Sequence, residues 1–307
     1  MTTSSHERFD VYTAITNQII TAIEAGSGDN VQLPWHRNGG SIQRPTNIAS
    51  RKAYRGVNTV ALWAAADACG FEHGIWGTYR QWQEKGAQVR KGEKSSLIIF
   101  YRDLDPSESA SSENGDDQQS RFFVARASRV FNAAQVDGFE IEPSEPAVDR
   151  IDPCERAEQF IQATGAKIAT GGTRAFYNTV SDSITMPDRH RFVGTATSGA
   201  SEGWYSTMLH ELTHWSGASS RCDRTFGKRF GDNAYAMEEM VAELGAAFLC
   251  GDLGITAEPR ADHAEYIGHW LRILKADSKA IFTAASAANK AAEFLTRLAD
   301  SQQREAA

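Results

Sequence analysis

The stretch EGWYSTMLHELTHWSG, residues 202–217, decides how this chain is read. It predicts a helix that closes at Gly217. Inside it, His210 and His214 are four residues apart. On a helix that spacing puts two imidazoles one turn apart on one face, where both reach a single tetrahedral ion. Glu211 stands beside them, placed to take a proton from a water that the ion has acidified. Trp204, Met208, Leu212 and Trp215 supply an apolar side, so the helix is expected to be buried on one face and open to a cleft on the other.

Two histidines and a glutamate need a third ligand to make a site. The pattern HExxHxxGxxH would put a third histidine at position 220, but Ser220 stands there and serine is a poor zinc ligand. A later helix, MEEMVAELGAAF at residues 237–248, offers Glu238, Glu239 and Glu243 instead. Glu239 and Glu243 share a face, whereas Glu238 is turned from Glu239 by about 100°. Ala242, Ala246 and Ala247 on that helix allow close approach to a neighbour, and acids there are costly unless paired or ligating. Glu239 is assigned as the third ligand, with Glu243 the alternative. In the Glu239 assignment, Glu243 orients a histidine N–H from outside the ligand sphere. Glu238 reads as a solvated acid at the helix start. Two histidines and one carboxylate leave a fourth position open, which is a catalytic layout. Such a set takes zinc, and also manganese or cobalt. Tyr205 and Tyr235 could serve as oxyanion donors but read as packing residues; His190, His263 and His269 read as surface or core histidines.

The 307 residues as a whole fit a soluble globular protein: 41% are hydrophobic, 10% aromatic and 23% charged. That composition excludes a rod, a collagen-like chain and a wholly disordered one, and the length suits about two domains. The net charge is −7, yet residues 41–102 carry ten Lys/Arg against four Asp/Glu, a net +6. Residues 104–120 hold five acids and no base, and read as a mobile acidic loop between two strands of one sheet. Residues 141–153, with three prolines among acids, read as a linker. The expected organisation is therefore α+β, with one domain over residues 1–140 and a second over 154–307. Residues 183–187, SITMP, read as an edge strand of the second domain. Four scattered cysteines form no short-spaced pair, which fits reduced thiols in a cytoplasm. The N-terminus has no signal-peptide pattern, and the longest apolar runs fall well short of the ~20 residues of a membrane span.

The first domain interleaves cations with rings. Arg44, Arg51, Lys52, Tyr54, Arg55, Trp76, Tyr79, Arg80, Arg90, Lys91 and Lys94 form the expected single-stranded DNA surface, with cations along the backbone and flat side chains under the bases.

Both halves together resemble the ArdC/TraC-type plasmid antirestriction proteins. In the first half the resembling residues are Arg44-Pro-Thr-Asn47, Tyr54-Arg-Gly-Val-Asn58, Trp76-Gly-Thr-Tyr79 and the run from Gly86 to Lys94. In the second they include Ala175-Phe-Tyr177, His210 to Trp215, Gly217 and residues 238–249. The resemblance implies an N-terminal domain that binds single-stranded DNA and a C-terminal zincin-like, gluzincin-type metallopeptidase domain. It also implies protection of conjugating DNA from the recipient's restriction enzymes, with a host restriction enzyme or another protein as a substrate. Its metal motif falls on His210, Glu211 and His214. Two other functions compete: a cytoplasmic metallopeptidase with a regulatory first domain, and a DNA-binding protein whose metal is only structural.

Overall fold

A computed structural model describes residues 9–26, 33–36, 43–103, 123–140, 152–194, 198–226, 233–256 and 263–306. The acidic loop and all but the last two residues of the linker lie outside these. The N-terminal half begins with helix α1 (Val11–Ala25), whose first turn is capped by the Asp10 side chain accepting from the Tyr12 N–H. Helix α2 (Val57–Cys69) stops at Gly70, whose positive φ of 66° suits glycine. Between and after them run β1 (Thr46–Asn47), β2 (Ile75–Gly77), the short helix α3 (Tyr79–Glu84), β3 (Gln88–Val89), β4 (Ser96–Asp103), β5 (Phe123–Asn132) and β6 (Val136–Asp137). One sheet has the order β1-β2-β5-β4, so the strands flanking the acidic loop are antiparallel neighbours. Strands β3 and β6 form a separate ribbon.

The C-terminal half contributes α4 (Pro153–Ala163), strands β7 (Lys167–Thr170), β8 (Phe176–Asn178) and β9 (Ser183–Met186), and helices α5 (Ala200–Ser216), α6 (Asn233–Leu253), α7 (His263–Ala276) and α8 (Ala280–Ala306). The sheet order β7-β9-β8 corrects the reading of residues 183–187 as an edge. Pro187 lies just past β9 and removes no ladder bond, so it ends the strand without exposing it. Ile184 and Met186 are fully buried, and the edge strands of this sheet are β7 and β8.

The two halves share one core. Ile15, Ile19 and Ile23 of α1 pack in the same apolar cluster as Met208 and Leu212 of α5, Phe248 of α6, Trp270 of α7 and Ala285 of α8. Arg44 crosses between the halves. It is buried, 3.0 Å from Asp252 and 3.3 Å from the Asn289 side-chain oxygen, with its guanidinium 4.5 Å over the Phe248 ring. Arg55 pairs with Glu293 on α8. Among the described residues no helix is long and apolar enough to cross a membrane.

Helices α5 and α6 meet without a spacer. A Cβ on Gly245 would lie 2.5 Å from Thr213 Cγ2. Gly245→Ala should therefore push the helices apart and cost roughly 1–3 kcal/mol, the usual penalty of overpacking. Urea denaturation checks it, and an unchanged midpoint would show that the contact yields freely. Arg44→Ala should cost about 1–3 kcal/mol, because the buried Asn289 side chain loses a donor while the exposed Asp252 is met by water, read in the same assay.

Candidate metal centre

The close α5–α6 contact sets the site. His210 and His214 sit on consecutive turns of α5, 3% and 9% exposed, with their Nε2 atoms 3.1 Å apart. Glu239 of α6 faces both: Oε2 is 3.5 Å from His210 Nε2 and Oε1 is 3.5 Å from His214 Nε2. These three residues offer ligand atoms within 4.8 Å of one another, the one such group among the described residues. Two imidazole nitrogens and a carboxylate are a fitting donor set for a divalent ion of zinc type. Facing ring nitrogens at this distance, if both are unprotonated, present lone pairs to one another, and a cation between them relieves that repulsion.

The ring atoms pointing away from this centre meet carboxylates. His214 Nδ1 is 3.1 Å from Glu238 Oε1, and Arg224 grips the same carboxylate at 2.8 and 3.0 Å. Glu238 is thus not a solvated acid at a helix start. It is buried and orients His214, because Arg224 folds back beneath Gly217, where a Cβ would come within 2.8 Å of its guanidinium. Glu243 Oε2 lies 3.7 Å from His210 Nδ1, beyond hydrogen-bond reach but on the side expected of an orienting acid.

The carboxylates set the electrostatics. Burial works against charge on His214, but hydrogen bonds and attraction from Glu238 and Glu239 outweigh it and raise its pKa from 6.5 to about 10. Burial likewise works against charge on Glu239 and Glu238, yet their histidine bonds, with Arg224 helping at Glu238, hold both below the usual carboxylate range. The site therefore demands positive charge.

Glu211 is buried and lines a cleft of about 270 Å³ together with His214, Glu239, Phe176, Tyr235 and Tyr266. The hydroxyls of Tyr235 and Tyr266 are 3.3 Å apart. Tyr205 is elsewhere, bonded to Glu158 and Arg189. His190 is exposed, and His269 bonds Asn233.

The expected DNA residues divide. Trp76 is fully buried, Tyr54 is buried with its hydroxyl accepting from Asn47, and Arg44 is the interhalf strut, so these three are corrected: none presents a face to a nucleic acid. The pattern of rings and cations in the sequence is the same whether a ring points in or out. Arg51, Lys52, Arg55, Tyr79, Arg80, Arg90, Lys91 and Lys94 are exposed. Asn47, at the start of the turn carrying Arg51 and Lys52, bonds Gln81 of α3, and Gln88 donates to the Tyr79 hydroxyl at 2.7 Å. These links hold the 51–52 turn, α3 and the ribbon side by side. Arg90 is partly spent within the protein, donating to Glu93 and to the Ala134 and Val136 carbonyls.

Comparison with known proteins agrees with the two halves. Residues 9–131 match the model of the N-terminal domain of anti-restriction factor ArdC, and residues 155–287 that of a zincin-like metallopeptidase. The protein y4eC of Sinorhizobium fredii (strain NBRC 101917 / NGR234) is 45% identical over 96% of this chain and 95% of its own length. The Mn(II)-bound crystal structure of the antirestriction protein ArdC from plasmid R388 superposes with a TM-score of 0.74 at 37% identity, covering 95% of this chain and 98% of that one. A DNA primase TraC of Escherichia coli is 34% identical over 95% of this chain, but that match spans only 27% of the primase.

Metal must displace the proton that His214 holds, so apparent affinity should rise about tenfold per pH unit between pH 6 and 9. The sign for folding is opposite in the metal-free protein. A histidine whose pKa is raised by folding stabilises fully below its unfolded value of 6.5, and the contribution disappears as pH rises through about 10. Melting of chelator-treated and metal-loaded protein should thus diverge on going from pH 7 to 10; parallel curves would contradict the raised His214. Elemental analysis should find one metal per chain, mostly lost in His214→Ala, with Glu239→Gln weaker than Glu238→Gln.

Proposed function

Because this chain belongs to the ArdC family of antirestriction proteins, we propose that it protects incoming plasmid DNA from host restriction. In this reading it binds single-stranded DNA through its N-terminal half and carries a metal-dependent peptidase site in its C-terminal half. The observation that supports the peptidase most is that Glu211 lines one cleft with His214 and Glu239, which lie within ligand reach of the buried His210. A divalent ion, zinc or alternatively manganese or cobalt, would be held by those three residues and supply Lewis acidity, acidifying a water and polarising the carbonyl under attack.

The chain's own residues do the rest. Glu211 accepts the proton at its carboxylate and returns it to the departing amine. Glu238, clamped by Arg224, keeps His214 turned inward. Tyr235 and Tyr266 offer O–H donors to charge developing on the carbonyl oxygen. The edge of β8 beside the cleft offers main-chain N–H and C=O groups to an extended peptide. The substrate in this reading is a host protein such as a restriction enzyme.

For DNA, the exposed cations around α3 neutralise phosphates, and Tyr79, 44% exposed, provides a ring for a base. Replacing Lys52 and Lys91 by alanine should lower the slope of log affinity against log salt by about 1.4, or about 0.7 per lost phosphate contact on a single strand. Filter binding on oligonucleotides at several salt concentrations reads this, and an unaltered slope would move the DNA site elsewhere.

Plasmid transfer into a restricting recipient tests the whole. Glu211→Gln should keep the metal, since Glu211 is not among the ligands, and lose both peptide hydrolysis and protection. Full protection by that variant would leave the DNA-binding half to carry the function without proteolysis.

A further inference from the structure

A short turn of the N-terminal half enters the metal centre. Leu33, Trp35 and His36 are all nearly inaccessible, His36 at 3%. The Leu33 N–H points at His36 Nδ1 (3.3 Å), which makes that atom the acceptor and leaves the proton on Nε2. Nε2 then donates to Glu243 Oε1 at 2.5 Å, and Trp35 Nε1 donates to the same oxygen at 3.0 Å. The other oxygen of Glu243 faces His210 Nδ1 at 3.7 Å. Among the described residues no hydrogen-bond partner reaches that buried Nδ1.

The two metal-side histidines are therefore oriented differently. His214 is set by Glu238 and Arg224, both from the C-terminal half. The acid facing His210 is held from the N-terminal half, across a separation of 207 residues. We propose that His36 is a positioning residue for the metal centre. By fixing Glu243 Oε1, it keeps Oε2 on the Nδ1 side of His210, where the carboxylate's charge favours the proton on Nδ1 and leaves Nε2 to face the ion. The inference rests on the metal-centre reading above and adds that the centre is complete only when both halves are present. Trp35 shares the task as a second donor to the same oxygen.

The experiment uses the full chain and zinc alone, in competition with a chromophoric chelator. His36→Leu should weaken zinc binding by about tenfold or more, the usual effect of losing an outer-shell partner. Glu243→Gln should weaken it comparably, and the double variant should be little worse than either single one, because both act on one relay. Ring nitrogen NMR of the metal-free protein should show His210 with its proton on Nδ1 in the wild type and a tautomer mixture in His36→Leu. Loss of packing alone would lower stability and leave that signature in place. A folded His36→Leu with wild-type zinc affinity and an unchanged His210 tautomer overturns the proposal. If His36→Leu does not fold, Trp35→Phe keeps the ring and removes one donor; about a threefold loss of affinity is expected, and no loss overturns it. A wild type that takes up no zinc would instead sink the metal-centre reading itself.

Discussion

Taking a carboxylate out of water costs several kcal/mol unless cations or donors meet it. The contact between α5 and α6 buries four: Glu211, Glu238, Glu239 and Glu243. Around them stand Arg224, two imidazoles that face each other, and His36 with Trp35. Glu238 and Glu239 raise the pKa of His214, and Glu239 with the two facing rings gives a divalent ion a fitting set of donors. The surrounding structure serves to make the contact close. Gly245 lets Thr213 touch the backbone of α6, and Gly217 makes room for the Arg224 guanidinium.

The same constraint binds the halves together. Glu243, beside the candidate metal centre, is held by a turn near residue 35 and would be left poorly paired without the N-terminal half. Arg44 and the α1 isoleucines do the equivalent work for packing. The N-terminal half is thus both the surface that carries the exposed cations around α3 and part of the wall behind the metal centre. A ligand that shifts this half has a physical route to His210, His214 and Glu239.

Local geometry was legible in the sequence. An i,i+4 pair on a helix lies on one face whatever the rest of the chain does, so His210, His214 and the neighbouring Glu211 could be read directly. The glycine closing α5 was legible for the same reason, since helix ends are settled by nearby residues. The phase of α6 also put Glu239 and Glu243 on one side and Glu238 on another.

Phase relates residues on one helix to one another, but it does not say what the next element puts opposite them. Glu238 reads as a surface acid from its helix alone, but Arg224 beneath Gly217 meets it and makes it a buried partner of His214. Arg44, Tyr54 and Trp76 looked like a nucleic-acid surface because composition records cations and rings without recording their direction. A four-residue strand carries too little pattern to reveal whether it has one neighbour or two, so the central place of β9 was hidden. His36 had no signal at all: a lone histidine acquires its role only when a partner 207 residues away arrives beside it. Residue order thus fixes the chemistry available along each helix, whereas which groups meet follows from long-range packing, because burial and pairing depend on elements far apart in the chain.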